Sequence, residues 1–151
     1  MDILAENRKA GFSFEILEKF QGGLALQGSE VKSARLGRMQ IAGTYVVIKN
    51  GELWLVGSNI PPYQPKNTPS NFQAERSRKV LVQRRELNSL VGKTAERGLT
   101  LIPLKVYSTP AGKIKLEFAL ARHQKKWDKR EKLKKEEVNR EIQQALHKQT
   151  Y

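Results

Sequence analysis

Every second residue from Ile114 to Leu120 is large and apolar: Ile114, Leu116, Phe118 and Leu120. A period of two places all four on one face of a strand, so this chain must build a sheet with one face turned to a core. The same alternation recurs in short stretches throughout the first 121 residues. Phe12, Phe14 and Ile16 interleave with Ser13 and Glu15, and Leu24 and Leu26 follow Gly22-Gly23, which reads as a hairpin. Residues 45–49 and 52–57 flank Asn50-Gly51, the strongest short hairpin signal. Residues 99–107 and 113–121 pair across Thr109-Pro110-Ala111-Gly112, with Pro103 marking an edge or a bulge.

Two helices interrupt the strands. Ser29 can cap the first, Glu30 sits where the helix dipole favours an anion, and Gly37 can close it. Leu87, Leu90, Val91 and Thr94 have helical spacing, so residues 85–97 form the second, stopped by Gly98. Residues 78–83 are either a separate turn of helix or a continuation of it. Residues 61–75, rich in Pro, Asn and Ser, form a loop. Six short strands with two interposed helices are too many for a small open sheet. The expectation is a mainly β, OB-like six-stranded barrel with two or three short helices.

The final thirty residues differ. Residues 122–151 hold ten Lys or Arg against five Asp or Glu, while Trp127, Leu133, Val138, Ile142 and Leu146 are their only sizeable apolar side chains. Such a stretch cannot bury enough surface to offset the entropy of ordering it. Its ion pairs (Asp128 with Lys132, Glu131 with Lys135) add only ~0.2–0.5 kcal/mol each. The expected division is a folded body at 1–121 and a basic tail at 122–151, disordered when free and folding on a partner.

Charge indicates what that partner is. The chain carries +13 from 28 basic and 15 acidic residues; the tail's +5 (ten against five) leaves +8 on the body. An excess of this size attracts nucleic acid or anionic lipid. No run approaches the ~18 apolar residues of a spanning helix. There is no cysteine, which suits a reducing cytoplasm and leaves no thiolate for a metal. His123 and His147 both fall in the expected tail, and Glu30, Glu52 and Glu117 are scattered singly. Catalysis and cofactors are therefore not expected.

Two segments are candidates for contact with a polyanion. In residues 28–35, Glu30, Lys32, Ser33 and Arg35 fall within a short span; an acid among cations can accept from base amino groups where Lys cannot. The plainer alternative is a capped surface helix with Val31 and Ala34 turned inward. In residues 76–86 five cations, Arg76, Arg78, Lys79, Arg84 and Arg85, flank the anchor Val80-Leu81-Val82, which favours a phosphate-contacting surface that takes in Leu81 and Gln83. Asn7, Arg8 and Lys9 form an ordinary basic arm.

Taken together these segments resemble the SsrA-binding protein family, also called small protein B. The resemblance rests on Asn7-Arg8-Lys9-Ala10, the run GSEVKS from Gly28 to Ser33, Ile60-Pro61-Pro62-Tyr63, Arg78-Lys79-Val80-Leu81 with Arg84-Arg85-Glu86, Pro103-Leu104-Lys105-Val106-Tyr107, and Asp128-Lys129-Arg130-Glu131. It implies an OB-like barrel that binds the tRNA-like domain of transfer-messenger RNA and brings it to stalled ribosomes. Elongation factor Tu on the charged RNA is a further candidate partner. It also implies that Lys125, Lys126, Asp128, Lys129 and Arg130 belong to a tail that senses the empty messenger channel. The chain departs from the family pattern at Gln83, where His or Asn is usual, at Trp127, where Tyr or His is usual, and at His123-Gln124, where Gly-Lys is common. A generic single-strand-binding module would need aromatics spaced along a barrel face, and aromatics make up only 7% of the chain. A small nuclease would need clustered carboxylates for metal ions.

Overall fold

The computed structural model describes residues 1–124 and 134–144. Seven strands run antiparallel: β1 Asp2–Glu6, β2 Phe14–Leu24, β3 Tyr45–Lys49, β4 Glu52–Val56, β5 Arg78–Leu81, β6 Leu99–Ser108 and β7 Ile114–His123. Their order is β1-β6-β3-β4-β5-β2-β7, and a further β6–β7 pairing joins the ends. The closed ring is thus six strands, β2 to β7, with β1 appended to β6. Closure leaves no long free edge, as the strand count demanded.

The membership of that ring differs from the sequence reading. Gly22-Gly23 is not a turn, because β2 runs through it for eleven residues. Here the glycines serve close packing: a Cβ on Gly22 would lie 2.9 Å from the Leu81 carbonyl oxygen and from Val80 Cγ1. Only a residue without a side chain lets β5 pair so closely with β2, at Gly23↔Leu81 and Leu24↔Val80. Residues 78–81 are accordingly strand and not helix. Strand β1 was also unforeseen. The two other hairpins form as expected, with Asn50 and Gly51 both at positive φ (53° and 70°) and a register shift between Pro103 and Lys105.

Helices α1 Ala10–Ser13, α2 Gly28–Arg35 and α3 Arg84–Thr94 complete the body. The cap of α2 is Gln27, not Ser29: its side chain accepts from the Glu30 backbone N–H, and the Glu30 carboxylate accepts from the Gln27 N–H at 2.8 Å. The 61–75 loop holds a single short turn of helix, Pro65–Asn67.

The main core fills the barrel with Leu24, Val46, Leu53, Leu55, Val80, Leu101, Leu116, Phe118 and Leu120. Ala34 of α2 and Leu90 of α3 join it. A smaller core gathers Ala10, Phe14, Ile102, Ala119 and Ala121; on β6 and β7 its members alternate with those filling the barrel.

Strand β7 continues through His123, so that residue belongs to the sheet and not to the tail. It pairs with Phe14 and sets its ring 5.0 Å from the Phe14 ring. The Gln124 N–H adds one more rung by donating to the Ser13 carbonyl at 3.0 Å. Residues 134–144 form a helix whose side chains are all exposed. The tail candidates Lys125, Lys126, Asp128, Lys129 and Arg130, together with Trp127, lie outside the described residues. No helix among the described residues is long and apolar enough to cross a membrane.

Candidate nucleic-acid interface

The candidate residues divide into a buried set and an exposed set. Glu30, Ser33 and Arg78 are buried, with the Glu30 and Arg78 side chains 0% exposed. Arg78 donates from Nε and Nη2 to Glu30 Oε2 at 3.0 and 2.6 Å, a two-point carboxylate grip. Its Nη1 donates to the Ser58 carbonyl (2.7 Å) and hydroxyl (3.0 Å), and Nη2 also reaches the Ala74 carbonyl at 2.9 Å. Arg76 donates to the other oxygen, Glu30 Oε1. Ser33 Oγ donates to the Pro61 carbonyl at 2.7 Å.

These bonds fasten α2 to the 58–76 segment. A carboxylate so occupied has no lone pair left for a base edge. The expectation that Glu30 reads RNA directly is therefore corrected: it positions the residues around it. Arg78 and Ser33 are removed from the contact surface for the same reason.

Burial pushes the Glu30 carboxyl up, but the hydrogen bonds from Arg76, the Gln27 N–H and Arg78 outweigh it, so its pKa falls below the ordinary carboxylate value. Burial lowers Arg78, and its pairing with Glu30 opposes that shift. One carboxylate and two guanidiniums leave this cluster with a net positive charge.

Strand parity puts the remaining β5 residues outside. Arg78 and Val80 point inward, while Lys79 and Leu81 point outward. Lys79 pairs with Glu52 at 3.0 Å and lies across from Trp54 on β4; Leu81 lies across from Gly23 and is 50% exposed. Gln83 caps α3 with its backbone, and Arg84 and Arg85 follow as exposed first-turn residues. An outward apolar tip set between cations, where the facing strand carries only glycine, offers ring contact and phosphate contact side by side.

The basic arm is elsewhere. Asn7 is held by the barrel, its Nδ2 donating to the Pro103 carbonyl at 3.0 Å and its N–H to the Leu104 carbonyl at 2.8 Å. Arg8 pairs with Glu6 at 3.3 Å, and exposed Lys9 precedes α1, which leads into the Phe14 end of β2. Lys32 and Arg35 are exposed on α2, beyond the other end of β2; Lys32 Nζ lies 5.6 Å from the centre of the Tyr63 ring, and Arg35 donates to the Gly112 carbonyl at 3.3 Å. From Phe14 to Gly23 is roughly 30 Å of strand.

A family model described as "SmpB protein" matches residues 4–148. The chain belongs to the SmpB family. Among curated relatives, it is 48% identical over 144 residues to the SsrA-binding protein of Carboxydothermus hydrogenoformans, covering 95% of each. It is 42% identical over 146 residues to the SsrA-binding protein of Thermosipho africanus, covering 97% of each. A solved structure described as "tmRNA-SmpB: a journey to the center of the bacterial ribosome" matches with TM-score 0.65 and 42% identity, over 80% of this chain and 84% of that one. The mainly β barrel is therefore the SmpB fold. Sequence reasoning missed two features of the site: Arg76 as a partner of Glu30, and Tyr63 and Trp54 as surface aromatics. Alternation in residues 78–81, had it been read as strand, would have turned Arg78 inward.

Proposed function

We propose that this chain is an RNA-binding adaptor that binds the tRNA-like domain of tmRNA and brings it to stalled ribosomes in trans-translation. SmpB membership along nearly the whole chain carries this reading. Half-buried Lys79 and exposed Arg84 and Arg85 beside Leu81 and Gln83, with Lys32 and Arg35, supply the RNA surface. Asn7, Arg8 and Lys9 precede α1 and the Phe14 end of β2, the end at which the Gln124 N–H donates to the Ser13 carbonyl. There they suit the ribosome side of the assembly, along with tail residues Lys125, Lys126, Asp128, Lys129 and Arg130. The adaptor works by binding and placement, without catalysis, in the cytoplasm.

Truncation tests this. A chain ending at Gln124 keeps every strand and both cores found among the described residues, so it should bind the isolated tRNA-like RNA nearly as tightly as the full chain. It should lose rescue of stalled ribosomes, measured as tagging of nascent chains. Loss of RNA affinity above ~0.15 M salt would move the binding surface into the tail, and retained rescue would remove the tail's assigned task.

A further inference from the structure

We infer that the groove between the first turn of α2 and the 61–73 loop receives one unpaired nucleotide of the bound RNA. This rests on the RNA-binding reading above and names a subsite within it. The groove measures about 340 Å³, and its lining includes Ser29, Lys32, Tyr63, Gln64, Asn67 and Phe72. That volume is at the small end of the ~300–1,000 Å³ typical of ligand pockets. It excludes a duplex and suits a single group.

The chemistry of the lining selects the group. Tyr63 and Phe72 are half-buried and leave ring surface toward the opening, and Lys32 Nζ is already placed over the Tyr63 ring. Asn67 Nδ2 donates to Gln64 Oε1 at 3.2 Å, which leaves the Gln64 amino group and the Asn67 carbonyl for the edge of a base. Among the described residues none that lines the groove is acidic. Aromatic faces, amides and one cation are what an unstacked nucleotide requires for its base and its phosphate.

The groove is also held open before any ligand arrives. Its two walls belong to separate segments, and the Glu30–Arg76–Arg78 cluster and the Ser33–Pro61 bond tie them together. Arg38 adds a third tie by donating to the Tyr63 carbonyl at 3.3 Å. A ligand entering walls already fixed loses less entropy on binding. Glu30, though buried, thereby acts on RNA affinity through the groove.

The test is a titration of full-length protein with the tRNA-like domain RNA over a series of salt concentrations, comparing Tyr63→Ala, Tyr63→Phe, Phe72→Leu and Lys32→Ala. Removing the ring in Tyr63→Ala should weaken binding roughly tenfold without changing the salt slope, because stacking releases no counterions. Tyr63→Phe should stay within about twofold of wild type, Phe72→Leu should weaken binding severalfold, and Lys32→Ala should reduce the slope by about 1. Arg84→Ala, outside the groove lining, serves as control. If it lowers affinity while Tyr63→Ala and Phe72→Leu do not, RNA binding stands and the groove assignment is overturned. If the wild-type protein binds this RNA no better than an unstructured RNA of equal length, the functional reading itself falls. A melting curve on each variant separates lost stacking from lost fold; were Tyr63→Ala unfolded, wild-type affinity in Phe72→Leu would alone overturn the groove.

Discussion

Arg78 and Arg84 stand six residues apart in one cationic run, yet they have opposite physical situations. Arg78 lies fully buried with all three guanidinium nitrogens engaged, whereas Arg84 begins α3 in solvent. What separates them is geometry. Residue 78 occupies an inward position of a strand whose alternation buries 78 and 80 and turns 79 and 81 outward. A run of positive charge is therefore not one feature. Its inward members serve stability, and its outward members are available to a polyanion.

The sharpest way to break this contrast is Glu30→Ala. It strands two guanidiniums, one of them fully buried, and removing one partner of a buried pair costs about 3–5 kcal/mol. Chemical denaturation should show a loss of that order, with RNA affinity falling although the net charge rises. A loss under ~1 kcal/mol would mean the cluster is an ordinary surface pair. Gly22→Ala should come next, at roughly 1–3 kcal/mol, because the added methyl meets Leu81 backbone at 2.9 Å. Unchanged stability there would show that β5 can slide on β2.

Acid should sharpen the comparison. The Glu30 carboxyl titrates below its ordinary value in the folded state, so its contribution is complete above the unfolded value of about 4.3 and is lost as pH falls through the folded value. The gap in melting temperature between wild type and Glu30→Gln should therefore be constant near neutrality and narrow below about pH 4. A gap that widened on acidification would reverse the assignment. The smallest stability effect belongs to the exposed set: Arg84→Ala and Arg85→Ala should each leave stability within ~0.5 kcal/mol. Each should also weaken RNA binding with a salt slope lower by about 1. An unaltered slope would show that they face only water.

The parts of the fold legible in the sequence were those with local causes. Asn50-Gly51 had to turn, since both residues take positive φ, and Pro103 had to disturb a ladder it cannot donate to. The failures have non-local causes. Gly22-Gly23 resembles a turn because glycine is usually placed for its backbone freedom; here the reason is the proximity of Val80 and Leu81, nearly sixty residues away. Residues 78–83 show few alternating positions, and a strand of four residues is specified by its neighbours β4 and β2 more than by itself. Glu30 stands out in the sequence as an acid among cations. Its partners Arg76 and Arg78 are 46 and 48 residues distant, so its burial could not be read from spacing along the chain.

Strand β2 has a mechanical consequence. It is one continuous piece, paired along most of its length with β7 and near its C-terminal end with β5. Near one end Gln124 bonds to Ser13; beyond the other lies α2 with its groove. A strand paired in a closed barrel resists stretching, so β2, despite its register shift between Ile16 and Glu18, sets a fixed spacing between these two points. Inserting or deleting two residues in β2 and matching the change in β7 would preserve side-chain parity and move the points by roughly 7 Å. Tolerance to that change would measure how much slack the assembled complex has.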